Sequence, residues 1–197
     1  LDPQSDLPRA RPKAEPSVPK YRGQSLRQAF IVVKEILAPC CRSSSGSSGR
    51  SLSSQSINQF GPAFCRGRRL YATDASEYQE LPAGVVLPES ENDIRKVIRF
   101  ARRNQLGLIP RAAGTSLAGQ CVGSGLVVDI SKHFTRILSV DTETRRVRVQ
   151  PGVVRDELNR FLAPHGMFFG PETSTANRAM MGGMVGNNSC GSNSMVY

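Results

Sequence analysis

The stretch GVVLPESENDIRKVIRFARRNQLGLIPRAAGTS, residues 84–116, decides the fold class because two short apolar runs flank an amphipathic segment. The runs GVVLP and LGLIP are typical of buried strands, and each ends in proline. Between them, apolar residues recur at i, i+3, i+4 and i+7, at Ile94, Val97, Ile98 and Ala101. We therefore predict a β-α-β unit with parallel strands and a right-handed crossover.

Both ends of the predicted helix are marked in the sequence. Ser90 precedes the helix and Asp93 follows three residues later, which is the spacing of a capping box. Gly107 is predicted to adopt the left-handed conformation that ends many helices. The helix is therefore expected to lie between Ser90 and Gly107.

Further along the chain, GLVVDIS predicts another strand, and RILSVDTETRRVRVQPG predicts an antiparallel hairpin that turns at residues 141–144. VVRDELNRFLAPHG predicts a second helix that ends near Gly166. Its expected apolar face consists of Val154, Leu158, Phe161 and Leu162. The segment after Gly166 is rich in glycine and asparagine and shows almost no helix or strand period.

The first part of the chain has a different composition. Scattered prolines and the run RSSSGSSGRSLSSQS at residues 42–56 predict a disordered, low-complexity tail at residues 1–69. One modest helix is predicted at about residues 25–37. Arginine and serine without acids also resemble an organelle transit peptide, but an unstructured tail is the favoured interpretation. The folded domain is expected at residues 70–197.

The formal net charge of +10 is concentrated in the tail. Residues 1–70 contain 12 Lys or Arg and 4 Asp or Glu, whereas residues 71–197 contain 14 and 12. The nearly balanced body argues against a nucleic-acid partner. A nucleic-acid binder acting through the basic tail is kept as an alternative, although few aromatic residues accompany those charges.

The five cysteines form no C-x-x-C pair, and the two histidines, His133 and His165, do not cluster with them. We therefore expect free thiols in a reducing compartment and no metal site. No apolar run approaches the roughly 20 residues that a membrane-spanning helix needs. Both ends of the sequence look cut, so a fragment is expected.

The first candidate site is IPRAAGTSLAGQ, residues 109–120, directly after the second predicted strand. Residues 112–114 are small and leave backbone N–H groups accessible to an anion, while Thr115 and Ser116 add hydroxyl donors. Ligands of α/β sheets bind at this end of a strand. However, neither familiar glycine-rich nucleotide fingerprint is present, so composition alone favours a plain turn.

A second segment, PETSTANRAMMGGMVGNNSCG at residues 171–191, repeats this chemistry. It combines a run of hydroxyl residues with the adjacent glycines Gly182 and Gly183, which allow close approach of the backbone to a flat group. Its methionines would be unusual in a plain turn. Two such loops suit a long ligand with a phosphate middle and a planar end.

Three segments in this order, LIPRAAGTSLAGQ, VQPGVVRDELNRFLAPHGMFFGPETST and GGMVGNNSCGSNSMVY, resemble the FAD-binding domain of the FAD-linked oxidase family. This is the vanillyl-alcohol-oxidase or PCMH-type fold, and the likeness is nearest to bacterial D-lactate dehydrogenase and glycolate oxidase-type oxidoreductases. It covers about residues 70–197. It implies an α+β fold in which a β-α-β subdomain precedes an antiparallel α+β subdomain, incomplete at the C-terminus.

The resemblance also implies a flavin site. Residues 110–116 would form the pyrophosphate loop and residues 171–177 would run along the flavin. Gly182 and Gly183 would let the backbone approach the flavin, and residues 187–190 would complete its wall. The cofactor-binding residues implied are Pro110, Arg111, Ala112, Ala113, Gly114, Thr115, Ser116, Pro171, Glu172, Thr173, Ser174, Thr175, Gly182, Gly183, Asn187, Asn188, Ser189 and Cys190. No histidine lies between Leu70 and Ser131, so the FAD is expected to be non-covalent. No catalytic residue is assigned.

The function implied is that of a flavoprotein oxidoreductase. It would oxidise a small 2-hydroxy acid such as D-lactate by hydride transfer to FAD. Electrons would pass on to a quinone, a cytochrome or an iron–sulfur protein or domain. The cytoplasm is the location expected, with peripheral contact at the inner membrane as an alternative.

Two further alternatives remain open. One is an inactive truncated fragment of such an enzyme, and the other is an NADPH-dependent reductase of cell-wall precursors with the same fold. The motifs GPETST and GGMVGNNSCG favour the oxidase branch. Because later strands would be missing, residues 1–197 alone are expected to bind FAD weakly or not at all.

Overall fold

The fold is described for residues 27–28, 30–33, 64–65 and 67–193 of a computed structural model. Nine strands and three α-helices occur within these ranges. The strands are β1 (Arg27–Gln28), β2 (Phe30–Val33), β3 (Phe64–Cys65), β4 (Gly84–Val86), β5 (Leu108–Arg111), β6 (Leu126–Asp129), β7 (Ile137–Asp141), β8 (Arg146–Val149) and β9 (Met167–Phe168). The helices are α1 (Glu91–Arg103), α2 (Arg155–Leu162) and α3 (Met181–Gly186), with 3₁₀ helices at Arg68–Tyr71 and Ala163–His165.

The first sheet has the order β3-β4-β6-β5. Strands β4 and β5 both run parallel to β6, whereas β3 is antiparallel to β4. The predicted β-α-β unit is confirmed in its parallel direction, but the later strand β6 lies between its two strands. Every residue of β4 and β6 is buried, as runs of valine and leucine at the centre of a sheet should be.

Helix α1 contributes to the core of this sheet. Ile94, Val97 and Phe100 belong to one buried cluster with residues of β4 and β6. The predicted apolar face is therefore confirmed at Ile94 and Val97, and Ala101 is also buried. Ile98 is 38% exposed, so its predicted place in the core is wrong.

The start of α1 has the predicted capping box. The Oγ of Ser90 accepts a hydrogen bond from the N–H of Asp93 at 3.2 Å, and a carboxylate oxygen of Asp93 accepts from the N–H of Ser90 at 3.1 Å. Lys96 donates to the other oxygen of Asp93 at 3.1 Å. Two orphan donors at the helix start are thereby satisfied.

The end of α1 differs from the prediction. Gln105, with φ of 53°, is the left-handed residue, and Gly107 has no positive φ. The N–H of Leu106 donates to the carbonyl of Ala101 at 2.9 Å, so the helix ends in a Schellman motif whose left-handed residue lies two positions earlier than predicted. The carbonyl of Gly107 instead accepts the N–H of Leu126 at 2.8 Å and joins the helix exit to β6.

The second sheet has the order β2-β8-β7. Strands β7 and β8 are antiparallel, which confirms the predicted hairpin. Asp141 organises its turn by accepting hydrogen bonds from the N–H groups of Glu143 and Thr144 and from the hydroxyl of Thr144. Strand β2 adds to β8 in parallel, and β1 pairs separately with β9.

Helix α2, which was predicted from the sequence, packs on the second sheet. Leu158 and Leu162 are fully buried in a cluster that includes Val147 and Val149 of β8. Phe161 is 44% exposed and does not belong to that buried face, contrary to the prediction. Gly166 has φ of 64° and ends the helical segment, which confirms its predicted role.

Several elements were not predicted correctly. The helix predicted at residues 25–37 is wrong where the chain is described, because Arg27–Gln28 and Phe30–Val33 are strands. Helix α3 was missed because its three glycines lower helix propensity. Met181 and Met184 are buried in the same cluster as Leu158 and Leu162, and this burial offsets the low helix propensity of the glycines.

The predicted disorder at residues 42–56 lies outside the described residues, whereas Phe64–Cys65, also within the predicted tail, forms strand β3. The division between tail and domain at residue 70 stays a prediction. Within the described residues, no helix combines the length and apolarity that a bilayer span requires.

We expect Ser90→Ala to lower the free energy of unfolding by about 1 kcal/mol at neutral pH, because the N-cap hydroxyl is lost. Hydrogen bonds from Ser90 and then Lys96 lower the pKa of Asp93 below its usual 3.8. A carboxyl with a lowered pKa stabilises the fold above pH 3.8 and loses this contribution as the pH falls through its folded value.

The stability difference between wild type and Ser90→Ala should therefore shrink in acid. Urea unfolding of both proteins at neutral pH and below pH 3.8 measures it. Ser90→Thr is the matched control, since it keeps the hydroxyl and should stay within about 0.5 kcal/mol of wild type. Equal losses for the two variants would contradict the capping assignment.

Candidate flavin site

The two predicted loops meet at one cavity of about 490 Å³. This volume lies within the range typical of small-molecule sites. Six of the residues assigned from sequence line the cavity: Arg111, Ala113, Gly114, Thr115, Ser174 and Thr175. The two loops therefore converge on a shared space, as a single long ligand would require.

A third segment completes the cavity and was missed in the sequence. Residues 73–75 line one side, held by a hydrogen bond from Arg111 Nη1 to the carbonyl of Thr73 at 2.8 Å. The N–H of Ala75 donates to the carbonyl of Gly114 at 3.1 Å. The sequence signals a turn at Asp74 and Ser76, but nothing in it brings that turn beside a loop 38 residues later.

Leu117 and Arg178 also line the cavity without having been assigned from sequence. Arg178 follows the hydroxyl run of the second loop, and its N–H donates to the carbonyl of Thr175 at 2.8 Å. Together with Arg111 it gives the cavity two guanidinium groups, one from each loop. Arginine suits phosphate because its planar N–H groups bind two oxygens at once.

Gly114 occupies a tight position in the first loop. Its φ is 66°, in the left-handed region that glycine adopts without steric cost. A Cβ at this position would lie 2.8 Å from Nη2 of Arg111. Glycine is therefore needed both for the turn and for the close approach of the guanidinium.

Asp74 is the carboxylate among the lining residues. Burial acts to raise the pKa of Asp74, but hydrogen bonds from Ser76 and Cys121 lower that pKa overall. The Cys121 Sγ lies 3.5 Å from an Asp74 oxygen. Burial raises the pKa of the Cys121 thiol; the Asp74 charge adds to this and Arg111 opposes it. At neutral pH the cavity edge thus holds a carboxylate and a neutral thiol.

The second loop is held by Arg155 at the start of α2. Its Nε donates to the carbonyl of Pro171 at 3.2 Å, and its Nη2 lies 3.8 Å from Glu172 Oε1. Asn193 donates to the other Glu172 oxygen at 3.2 Å. These contacts give Glu172 a structural role outside the cavity, while its assignment to the cofactor remains a prediction.

Thr173 has a buried hydroxyl without a hydrogen-bond partner among the described residues. Leaving a buried hydroxyl unpaired costs about 1–3 kcal/mol, so such groups usually serve a ligand or an ordered water. Thr173 directly precedes Ser174 and Thr175, which line the cavity.

The adjacent glycines of α3, Gly182 and Gly183, lie next to other residues of the chain and not next to the cavity. A Cβ on Gly182 would lie 2.5 Å from the Cβ of Pro151, so this glycine allows the helix to pack closely on the loop before α2. A Cβ on Gly183 would make an ordinary contact of 3.4 Å with the Cβ of Ala112. The predicted close approach is real at Gly182, but its partner is Pro151, and neither glycine lines the cavity.

The residues after α3 also lie away from the cavity lining. Asn188 has φ of 53°, and the N–H of Ser189 donates to the carbonyl of Met184 at 2.8 Å, which ends α3 in a Schellman motif. The hydroxyl of Ser189 also donates to Asn187 Oδ1. Asn187, Asn188 and Cys190 are exposed. Their assignment as a flavin wall stays a prediction.

Several other residues have structural partners instead of a place in the cavity lining. Pro110 lies within β5, and the hydroxyl of Ser116 donates to Gln120 at 2.7 Å. His165 packs against the ring of Phe161 with centroids 5.8 Å apart. Among the described residues, no group of three or more His, Cys, Asp or Glu side chains is arranged to hold a metal.

Residues 82–197 match the model of a protein family that is described as FAD binding domain. The chain belongs to this family. FAD is the cofactor of the family, and the match includes both loops that meet at the cavity. The expectation that the flavin is non-covalent stays a prediction.

The chain is 43% identical over 129 residues to D-2-hydroxyglutarate dehydrogenase of Haemophilus influenzae, covering 64% of this chain and 13% of that protein. It is 32% identical over 133 residues to glycolate oxidase subunit GlcD of Bacillus subtilis, covering 66% of this chain and 28% of the subunit. The chain therefore spans less than a third of the length of either relative.

Among solved structures, an alkyldihydroxyacetonephosphate synthase superposes with a TM-score of 0.63 at 17% identity, covering 77% of this chain and 32% of that one. This likeness confirms the α+β, PCMH-type fold.

The residues present fit a flavin dinucleotide on three observations. Two arginines line the cavity, and a glycine turn leaves backbone exposed at its edge. The buried hydroxyl of Thr173, next to the lining residue Ser174, has no hydrogen-bond partner among the described residues. The first two suit a diphosphate and the third suits a ligand with hydrogen-bonding atoms.

We expect Gly114→Ala to destabilise the protein by about 1–2 kcal/mol, because a Cβ is unfavourable at a left-handed φ. Displacement of Arg111 should also lower FAD affinity by at least ~10-fold, which corresponds to ~1.4 kcal/mol. Gly107→Ala is the matched control, since a Cβ there meets nothing within 4 Å. Urea unfolding and fluorescence titration with FAD, at full natural length, measure both effects. Wild-type FAD affinity in Gly114→Ala would refute the role of this turn in cofactor binding.

Thr173→Val should separate stability from ligand binding. Removing an unpaired buried hydroxyl is expected to leave the flavin-free protein as stable as wild type, or up to about 1 kcal/mol more stable. FAD affinity should nevertheless fall by roughly 3- to 10-fold, because one hydrogen bond to the ligand is lost.

The matched control is Thr144→Val, whose hydroxyl donates to Asp141 in an exposed turn. It should lower stability and leave FAD affinity unchanged, the opposite pattern. If Thr173→Val binds FAD as tightly as wild type, its hydroxyl does not face the cofactor.

Proposed function

We propose that the protein oxidises a D-2-hydroxy acid with FAD bound in the cavity between residues 111–117 and 174–178. The observation that carries this proposal is the convergence of the two loops on one cavity. Membership of the FAD-binding domain family supports the identity of the cofactor. The relatives support the class of reaction, since both are named for enzymes of 2-hydroxy acids.

In this proposal the chain binds and orients the cofactor. FAD, when bound, supplies the acceptor for the hydride that leaves C2 as a 2-hydroxy acid becomes a 2-oxo acid. Arg111 and Arg178 offset the charge of the diphosphate, and the bare Cα of Gly114 allows the close approach of the Arg111 guanidinium. The hydroxyl of Thr173 gains a partner, which removes the cost of its unpaired burial.

The proton of the substrate hydroxyl needs a base, and the described cavity lining does not provide a good one. Asp74 is its carboxylate, and hydrogen bonds from Ser76 and Cys121 lower the pKa of Asp74. A carboxylate with a lowered pKa accepts a proton less readily. We therefore place the base outside these residues and assign Asp74 to binding.

For the substrate we favour D-2-hydroxyglutarate over D-lactate and glycolate. The support is the higher identity to the D-2-hydroxyglutarate dehydrogenase, 43% against 32% for the glycolate oxidase subunit. Electrons would then pass from the flavin to a quinone, a cytochrome or an iron–sulfur centre. We place this reaction in the cytoplasm, with peripheral contact at the inner membrane as the alternative.

Anaerobic titration of the purified full-length protein tests the proposal. Its absorption spectrum should show bound oxidised flavin, and D-2-hydroxyglutarate should bleach it. L-2-hydroxyglutarate should not, and D-lactate and glycolate should bleach it more slowly. A flavin that only D-lactate bleaches would correct the substrate alone. A protein that holds no flavin, or whose flavin no 2-hydroxy acid reduces, would instead favour the inactive fragment.

A further inference from the structure

Tyr71 connects the cavity to a buried carboxylate. It ends the 3₁₀ helix Arg68–Tyr71, and its hydroxyl donates to Asp129 Oδ2 at 2.7 Å. Asp129 is only 5% exposed and is the last residue of the central strand β6. Its other oxygen accepts the N–H of Ser131 at 2.8 Å. Both carboxylate oxygens are thus occupied, which holds the Tyr71 ring in one orientation.

The Tyr71 ring in turn contacts Arg111. The guanidinium carbon of Arg111 lies 5.3 Å from the ring centroid, within the range of a cation–π interaction. Arg111 is also the register partner of Asp129 across the parallel strands β5 and β6. The same buried residue therefore anchors the strand end that carries Arg111 and the aromatic ring beside its side chain.

The remaining contacts of Arg111 leave part of its guanidinium available. Nη1 donates to the carbonyl of Thr73 at 2.8 Å, and Nη2 lies beside the bare Cα of Gly114. In the described part of the chain, Nε and Nη2 have no hydrogen-bond partner. Arg111 lines the cavity, so these donors are held next to the space that both loops enclose.

We infer that Tyr71 and Asp129 are positioning residues that hold Arg111 as the fixed cation for the diphosphate of the dinucleotide. This inference rests on the proposed function for the identity of the ligand. Neither residue lines the cavity, so both act through Arg111. A guanidinium already held in place loses little conformational entropy when it binds two oxygens, which favours the ligand.

The test compares ADP with adenosine as ligands of the flavin-free, full-length protein. ADP carries the diphosphate and adenosine does not, so a fault in Arg111 positioning should affect only ADP. Tyr71→Phe keeps the ring and removes the hydroxyl that fixes it. We expect it to weaken ADP and FAD binding by roughly 3- to 10-fold and to leave adenosine binding unchanged.

Tyr78→Phe is the matched control, because Tyr78 is 56% exposed and lies outside the cavity lining. It should bind ADP and FAD as wild type does. Arg111→Lys serves as a second variant that leaves Tyr71 and Asp129 intact. It keeps the charge but loses the planar group, and it should also weaken ADP relative to adenosine.

A double-mutant cycle tests whether Tyr71 acts through Arg111. In an Arg111→Gln background, Tyr71→Phe should have no further effect on ADP affinity. The inference is overturned if Tyr71→Phe binds ADP normally, if it weakens ADP and adenosine equally, or if its effect persists without Arg111. If Tyr71→Phe does not fold, an unchanged ADP affinity in Arg111→Lys overturns it.

The two proposals fail in different ways. If the wild-type protein binds no FAD but binds ADP in a Tyr71-dependent manner, the flavin function fails and the positioning role stands. If FAD binds and reduces normally in Tyr71→Phe, the function stands and the positioning role fails. Binding of neither FAD nor ADP by wild type overturns both.

Discussion

The position of β6 between β4 and β5 is the constraint on which the cavity depends. Its last residue, Asp129, is the register partner of Arg111 and accepts the hydroxyl of Tyr71. One strand therefore brings together the start of the first loop and the segment that completes the cavity wall. If β5 did not lie next to β6, Arg111 would lose Asp129 as its register partner, and with it the link to Tyr71.

The second loop reaches the same cavity through close packing of α3. Gly182 allows this helix to approach Pro151, and a Cβ on Gly183 would lie 3.4 Å from the Cβ of Ala112 in the first loop. The carbonyl of Val153 accepts the N–H of Met181 at 2.9 Å, which joins α3 to the start of α2. Arg155 then fixes the chain before the turn that presents Ser174 and Thr175. The glycines thus shape the site through the scaffold and not through the cavity lining.

Periodicity predicted most of the regular structure between residues 84 and 166, because strands and helices there bury one clear face. It failed where local preference and tertiary burial disagree. Helix α3 forms despite its glycines because Met181 and Met184 are buried in the cluster formed by residues of β8 and α2. Strand β2 forms where a helix was predicted because β8, more than a hundred residues later, supplies its hydrogen-bond partners.

The sequence by itself determined the fold class, the capping of α1 and the chemistry of both loops, since these depend on residue type and short spacing. Only the tertiary structure decided which loop residues share a cavity, that Gly182 packs against Pro151, and that residues 73–75 belong to the site. The physical reason is that strand order and close packing join residues far apart in the chain. Such pairings leave no periodic trace in the sequence.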